Sequence, residues 1–313
     1  MYKDFYGFTE KPFNSSPDPR FFFASAKHFE ALNGLWYAIE ERKGFVVITG
    51  DIGAGKTTVC RTLMSKLGKT TRVALITNTH ITPKELIASI LEDLEIDPGP
   101  GKGGSKQKLL SCLNHYLIQQ LAADVNVVLI IDEAQNLSYR TMEEVRMLSN
   151  LETDREKLIQ IILLGQPQLN TRLQTPKLEQ FRQRIAFSYF IEPLNKDDTA
   201  DYILHRLKLV CPDNHKNIFT REAVELLYHH THGIPRLINL LCDSALLTGY
   251  VEGTRVITTR IIDEVAAERD LGCRHVEKER KEKTERETNA EDANAEDANA
   301  EAIDNIQITN YKQ

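Results

Sequence analysis

The sequence predicts an α/β fold, a five-stranded and mostly parallel sheet flanked by helices, followed by a smaller helical domain. Five strand-like apolar runs alternate with helical patterns, and this alternation favours a parallel sheet. A glycine-rich stretch, GDIGAGKTT, lies between the first strand and the helix after it. Strand-like patterns stop at Pro193 and only helical patterns follow, so the architecture changes there.

The five strand patterns differ in how deeply they are expected to be buried. The middle ones are continuous apolar runs, which are typical of strands covered on both faces. The predicted strands are GFVVIT at 44–49, RVALIT at 72–77, VNVVLII at 125–131, LIQIILL at 158–164 and AFSYFIE at 186–192.

Apolar residues at helical spacing predict the helices. Thr220 and Thr258 lie where N-caps are expected, each directly before an apolar pattern. A Gly/Pro/Ser-rich loop is predicted at 97–105. The predicted helices are 57–67, 83–94, 109–121, 197–210, 221–230, 235–250 and 259–269.

Composition narrows the class of protein. The 313 residues are 41% hydrophobic with a net charge of −6, and the apolar runs fall far short of the ~20 residues that span a bilayer. No secretion signal is recognisable, so we expect a cytoplasmic protein. The five cysteines form no CxxC pair, and the histidines at 229, 230 and 232 lack metal-ligand spacing, so neither disulfides nor zinc is predicted.

Charge is concentrated at the end of the chain. Residues 274–313 hold seven Lys/Arg and eleven Asp/Glu, a net charge of −4, which leaves −2 for the rest. The repeated unit NAEDA and the scarcity of apolar residues predict a disordered segment or a solvated single helix at 272–313. The nearly neutral body weakens the case for nucleic-acid binding.

The stretch GDIGAGKTT fits the phosphate-binding pattern G-x-x-x-x-G-K-[ST]. A strand before it and a helix after it make a chance glycine turn a poor explanation. Backbone N–H groups at the helix N-terminus can surround phosphate oxygens, Lys56 would reach the β- and γ-phosphates, and Thr57 would offer a hydroxyl to Mg²⁺. ATP and Mg²⁺ are the predicted cofactors, and the predicted nucleotide-binding residues are Gly50, Asp51, Ile52, Gly53, Ala54, Gly55, Lys56, Thr57 and Thr58.

Two acids follow the third predicted strand, in VVLIIDE. Asp132 suits the Mg²⁺ shell through coordinated waters, and Glu133 is placed to activate the attacking water. A surface acidic pair is the alternative interpretation. Together with the glycine-rich loop, the pair predicts hydrolysis of ATP.

Four further polar residues are candidates with open alternatives. Gln166 could hold the lytic water or sense the γ-phosphate, or merely end a strand before a proline. Arg184, or less favourably Arg182, could reach a neighbour's γ-phosphate, or both could be surface residues. Arg236, on the first turn of a helix after Gly-Ile-Pro, could contact the nucleotide phosphates or simply be solvated.

The order of these parts resembles the AAA+ ATPases from about Phe5 to Arg269. Within them it is similar to the general secretory pathway protein A (GspA/ExeA) type and to the related MSHA pilus-biogenesis ATPase. The segments that carry the resemblance are FYGF, PF, PDPRFFF, His28, Ala31, GFVVITGDIGAGKTT, IIDEAQNL, LSNLET, LLGQPQL, QRI and GIPRLINLLCD.

The resemblance implies a dimer- or ring-forming ATPase that helps assemble a secretion or pilus machine, associated with the inner membrane through a partner. It divides the chain into an N-terminal part of the ATPase module at 1–43, a P-loop core at 44–193, a helical lid at 194–271 and the charged tail. It also places the aromatic segment PDPRFFF near the adenine pocket. Packing in the core is an equally good explanation for the phenylalanines at 21–23. A transposition-type regulator acting on DNA and a nucleotide-gated scaffold with little turnover remain alternatives.

Overall fold

The computed structural model describes residues 2–14, 16–68, 70–99, 104–153, 156–211 and 218–269. The predicted tail at 272–313 and the middle of the predicted loop at 97–105 lie outside these residues. Cys273 also lies outside them.

A single five-stranded parallel sheet forms the centre of the α/β part, in the order β2-β3-β4-β1-β5. Each strand begins and ends within two residues of its predicted bounds, so the predicted sheet is confirmed. The strands are β1 at Phe45–Gly50, β2 at Thr71–Ile76, β3 at Asn126–Ile131, β4 at Gln160–Gly165 and β5 at Ile185–Ile191.

Burial follows the position of each strand in the sheet. Every residue of β1 and β4 is buried, and β3 is buried from its second residue onward. These strands have neighbours on both sides and helices on both faces, which explains their unbroken apolar runs. In contrast, β5 lies at an edge and alternates between half-buried and exposed residues until its buried last residue.

Helices cover both faces of the sheet, and within the described ranges four more helices follow it. The helices that belong to the α/β part are α2 at Ala26–Glu40, α3 at Lys56–Lys66, α4 at Pro83–Asp93, α5 at Lys106–Ala122, α6 at Tyr139–Leu148, α7 at Pro167–Leu173 and α8 at Glu179–Arg182. The helical domain contains α9 at Lys196–Val210, α10 at Arg221–Thr231, α11 at Pro235–Val251 and α12 at Thr259–Glu268.

The two N-caps predicted from the sequence, Thr220 and Thr258, have different outcomes in the structure. The side chain of Thr220 accepts a hydrogen bond from the N–H of Ala223 at 3.2 Å, as an N-cap should. Thr258 precedes α12, but its side chain makes no capping bond. The start of α5 was predicted three residues late because its first turn, capped by Ser105, is polar and exposed.

The N-terminal residues pack with the helical domain. Helix α1 at Tyr2–Tyr6 is followed by Phe8 and Phe13, which share the buried cluster of α9 to α12. The hydroxyl of Tyr6 donates to the carbonyl of Thr254 at 3.1 Å, and that of Tyr2 donates to Asp243. Helix α2 instead packs on the sheet. The chain therefore crosses from one part to the other between residues 14 and 25, while the four-part division stays a prediction.

Other groups carry less information about the site. Cys60, Cys211 and Cys242 are buried free thiols, and Cys112 is half-buried. His229 and His230 lie in the last turn of α10, and His232 ends it in a left-handed conformation. None of the helices within the described ranges has the length and apolar character of a membrane span.

Candidate nucleotide-binding site

The glycine-rich loop connects β1 to α3 and has little room for side chains. Gly53 and Gly55 have φ angles of +82° and +105°, a region that residues with a Cβ rarely adopt. A Cβ at Gly53 would lie 2.6 Å from that of Arg236, and one at Gly55 would lie 2.9 Å from Nε2 of His28. Both glycines are thus required by conformation and by close approach.

Lys56 is buried inside this loop. Its Nζ donates hydrogen bonds to the carbonyl oxygens of Gly50, at 2.8 Å, and Asp51, at 2.9 Å. Burial lowers the pKa of Lys56, and the negative charges of Glu133 and Asp132 oppose that shift. The ammonium group is therefore held by neutral oxygens that phosphate oxygens could replace.

Thr57 and Asp132 come from different elements and meet at the same sheet edge. The hydroxyl of Thr57, in the first turn of α3, donates to Oδ2 of Asp132 at 2.9 Å. The other carboxylate oxygen of Asp132 accepts the backbone N–H of Glu133 at 2.9 Å. A hydroxyl and a carboxylate in contact, beside the loop, fit the water-rich coordination that Mg²⁺ prefers.

Glu133 has a strained backbone and a defined side-chain position. Its φ of +52° is unusual for a residue with a side chain, and such strain is concentrated at functional sites. Oε2 of Glu133 accepts from Nε2 of Gln135 at 2.5 Å and from Nε2 of Gln166 at 3.1 Å. The structure thus brings the predicted Gln166 into direct contact with the predicted base.

Gln135 and Arg172 complete this network and were missed in the sequence. Oε1 of Gln135 accepts the backbone N–H of Gln166 at 3.0 Å. Arg172, in α7, donates to the carbonyl of Gln135 and to that of Leu137, the latter at 2.7 Å. Gln135 lies inside the motif IIDEAQNL, but only the left-handed turn at Glu133 directs its side chain back towards the carboxylate.

His28 connects α2 to the loop. Its Nε2 lies 2.9 Å from the carbonyl of Ala54, and its Nδ1 lies 2.7 Å from Oγ of Ser25. Burial lowers the pKa of His28, which favours the neutral ring. Because a carbonyl can only accept, Nε2 carries the proton, and the Ser25 hydroxyl donates to Nδ1.

Arg236 lies against the same loop from the helical domain. It occupies the first turn of α11 after Pro235, and its backbone N–H donates to the carbonyl of Gly53 at 3.3 Å. Together with Lys56 and Glu133 it lines a cleft of about 390 Å³, bounded on another side by residues 21–23 of the aromatic segment. The two parts of the chain therefore meet across this cleft.

Arg182 and Arg184 lie away from the cleft, at the opposite edge of the sheet. The strand that follows them starts with Ile185 paired to Phe45 and ends with Ile191 paired to Gly50. At about 3.3 Å per residue, the arginines are separated from the loop by about 20 Å along the strand. Arg182 is exposed, while the half-buried Arg184 donates to Oγ of Ser149 at 2.8 Å.

Comparison with known proteins agrees with this geometry. Residues 39–173 match a family described as AAA domain. The structure is similar to Cdc6p from Pyrobaculum aerophilum, with a TM-score of 0.64 and 18% identity over 81% of this chain and 71% of that one. The chain therefore has the AAA+ fold. The ORC2 protein of Aeropyrum pernix shares this AAA+ fold, with a TM-score of 0.63, 16% identity, and coverage of 83% and 72% of the two chains.

The relationship to secretion proteins extends along most of this AAA+ chain. It is 39% identical over 277 residues to General secretion pathway protein A of Aeromonas hydrophila, a match that covers 87% of this chain and 50% of that protein. The resemblance to the GspA/ExeA type is therefore confirmed, whereas closeness to the MSHA pilus ATPase stays a prediction. The chain spans about half the length of this curated relative.

Proposed function

We propose that this AAA+ chain binds Mg²⁺ and ATP, hydrolyses the nucleotide, and uses the cycle to assemble or position a cell-envelope secretion or pilus machine. One observation carries the proposal: Lys56, the Thr57–Asp132 pair and Glu133 line or adjoin one cleft, although they come from two separate segments of the chain. Their proximity is a property of the fold that no local sequence pattern requires.

Phosphate binding rests on the loop from Gly50 to Thr58. Its N–H groups and the N-terminus of α3 supply a positive environment for phosphate oxygens. Lys56 would exchange its two carbonyl acceptors for the β- and γ-phosphates, and Arg236 would add a second cation from the helical domain. Thr57 and Asp132 would hold Mg²⁺, which bridges phosphate oxygens and neutralises their charge when bound.

Glu133 is the proposed general base for the attacking water. Gln135 and Gln166 both donate to Oε2, which fixes the carboxylate and leaves Oε1 to face the water. Gln166 would then orient the base in addition to its predicted contact with the water or the γ-phosphate. Gln135 would act through Glu133 as a positioning residue.

We propose that Arg184 from another copy of the chain supplies an additional arginine for the transition state. Arg184 lies about 20 Å from its own loop along β5, so it cannot contact its own γ-phosphate without a large rearrangement. Ser149 holds Arg184 in place, whereas Arg182 is exposed, which supports Arg184 as the acting residue. This arrangement calls for a dimer or ring.

The assignment to a secretion or pilus machine rests on the relative named General secretion pathway protein A. The proposed partners are the proteins of such a machine at the inner membrane, with this chain on the cytoplasmic side. Regulation of DNA is the less favoured alternative, because the body of the chain is nearly neutral. A gel shift with labelled duplex DNA, ATP and low salt tests it, since phosphate contacts are strongest there.

The basic test of the proposal is nucleotide binding by the wild-type chain and by Lys56→Ala, measured by isothermal titration with Mg·ATP. We expect Lys56→Ala to abolish tight binding because the buried ammonium is lost from the phosphate position. Lys66→Ala is the matched control, since Lys66 is an exposed lysine at the end of the same helix. Equal binding by wild type and Lys56→Ala would contradict the proposed site.

A further inference from the structure

A buried arginine lines the cleft in addition to the residues assigned above. Arg206, in α9, is only 4% exposed, and its Nη1 donates to the hydroxyl of Tyr202 at 3.0 Å. Its Nε is buried and has no hydrogen-bond partner among the described residues. None of the salt bridges found in the described ranges includes Arg206.

The groups in contact with Arg206 hold it in position without forming a salt bridge, and the Asp18 carboxylate, also at the cleft, interacts with it through space. Its guanidinium lies 4.9 Å from the ring centre of Phe21 and 5.4 Å from that of Tyr202. The Tyr202 hydroxyl in turn donates to Oδ1 of Asn239 at 2.9 Å. Burying a cation with no hydrogen-bonded carboxylate and with an unpartnered Nε is costly, and a ligand that supplies acceptors explains such a group better than stability of the fold does.

The position of Arg206 indicates which end of a nucleotide it would meet. Arg236 contacts the phosphate loop at Gly53, and Asn239 lies one helical turn further along α11. Tyr202 contacts Asn239, and Arg206 lies a further turn along α9. Arg206 therefore lies beside Phe21, at the aromatic wall of the cleft.

The chemistry of this end of the cleft suits a purine base. Phe21, Phe22 and Phe23 line it, and aromatic faces favour flat, stacked groups. Arginine has donors only, and it can recognise ring nitrogens with a free lone pair. In adenine these nitrogens are N1, N3 and N7. A ribose hydroxyl, which donates as well as accepts, is a less specific match for a pure donor.

We propose that Arg206 donates a hydrogen bond to a ring nitrogen of the purine base and is a specificity-determining residue of the cleft. The inference rests on the proposed function, because it requires that a nucleotide occupies the cleft. It adds a direct readout of the base, separate from the phosphate contacts of Lys56 and Arg236.

Base analogues test this contact without any need for turnover. Binding of ADP, 1-deaza-ADP, 3-deaza-ADP and 7-deaza-ADP is measured by isothermal titration with the full chain and with Arg206→Met. We expect the wild type to bind one deaza analogue about tenfold more weakly than ADP, the loss typical of a hydrogen bond from a charged donor. In Arg206→Met, ADP and that analogue should bind equally.

The ratio of affinities separates recognition from a structural effect. If Arg206 only supports the fold, its replacement weakens all four ligands alike and any discrimination persists, which would overturn the proposal. Equal binding of all four by the wild type would also overturn it. Arg206→Lys, which keeps the charge but loses the fork of donors, and Tyr202→Phe, which keeps the ring face, are companion variants should Arg206→Met fold poorly.

Failure of the proposed function has a different signature. A wild-type chain that binds no ADP at all removes the nucleotide site and this inference together. A chain that binds ADP through Lys56 but ignores the deaza substitutions removes only the role of Arg206.

Discussion

The carboxyl ends and the amino ends of the parallel strands differ in which parts of the proposed ATPase site they hold. At the carboxyl edge of the strands, Lys56, Asp132 and Glu133 are gathered beside one cleft and held by defined hydrogen bonds. At the amino edge, Arg184 is anchored to Ser149 and lies about 20 Å along β5 from the phosphate loop. Under the proposed mechanism, the first edge binds and positions the nucleotide, whereas the second acts on a neighbouring copy.

Under the proposed mechanism, nucleotide binding takes place within one chain, whereas hydrolysis also needs an arginine from a neighbouring chain. The sheet is rigid and its strands are about 20 Å long, so the two edges of one copy cannot meet. Binding should therefore depend on the carboxyl edge alone, while turnover should depend on both edges. Each prediction below changes one side of that division.

The largest effect is expected from Glu133→Gln at the carboxyl edge. Removal of the proposed base should lower the rate of phosphate release about a thousandfold, within the range for general-base catalysis, and leave ATP binding intact. Phosphate release and titration with Mg·ATP on the same preparation check it. A variant that still turns over at the wild-type rate would remove Glu133 from the mechanism.

At the amino edge, Arg184→Ala should lower turnover about a hundredfold, comparable to the loss of one transition-state donor. Because the arginine would act on a neighbour, ATP affinity should not change, and the rise of specific activity with protein concentration should disappear. Arg182→Ala is the matched control and should have a smaller effect. An effect on ATP affinity in dilute protein, where copies are separate, would contradict action between chains.

A smaller loss of turnover is expected when Glu133 is retained but a hydrogen-bond donor that positions it is removed. Gln135→Ala deletes the shorter of the two hydrogen bonds to Oε2 of Glu133 and should reduce kcat about tenfold, since misplaced groups lose catalytic efficiency. KM for ATP should be unchanged, and Gln135→Asn should recover only part of the rate because its amide is shorter. A rise in kcat would show that Gln135 restrains the base instead of positioning it.

The smallest effect is a pH dependence of stability at His28. Burial lowers the pKa of His28 below its ordinary value of about 6.5, so the unfolded chain binds more protons there than the native one. Stability should therefore fall as the pH drops from about 6.5 towards the lowered pKa of folded His28, and it should level off below that pKa, where both states are protonated. Denaturant unfolding at pH 7 and pH 5 should show a smaller acid-induced loss in His28→Gln than in the wild type.

An equal loss of stability on acidification in both proteins would assign the effect to other groups. Ser25→Ala, which removes the hydroxyl that donates to Nδ1 but keeps the histidine, is the matched control and should retain the acid-induced loss.

The sequence was most informative where one element determines the structure by itself. The three central strands β1, β3 and β4 were predicted within two residues because their apolar runs are buried on both faces, and the loop at Gly50–Thr58 has a fixed spacing. Helix α6, capped by Ser138, was not predicted, although its buried face includes Met142, Val145 and Leu148. Its buried face also contains the polar residues Thr141 and Glu144, which interrupt the apolar pattern.

The sequence was least informative where segments far apart in the chain meet. Nothing in the pattern around Gln135 or Arg206 shows that one would contact Glu133 and the other would line the cleft. The contact of the N-terminal aromatic residues with the helical domain depends on packing across more than two hundred residues. Such contacts are set by the tertiary fold, which periodicity does not encode.

The most direct test of the division between the two edges is a mixture of two inactive proteins. Glu133→Gln lacks the base but keeps the arginine, and Arg184→Ala has the opposite defect. If the arginine acts across an interface, mixed assemblies contain a site with both groups, and for a random symmetric dimer phosphate release should reach about a quarter of the wild-type rate. A mixture that shows only the sum of the two residual rates would contradict the account.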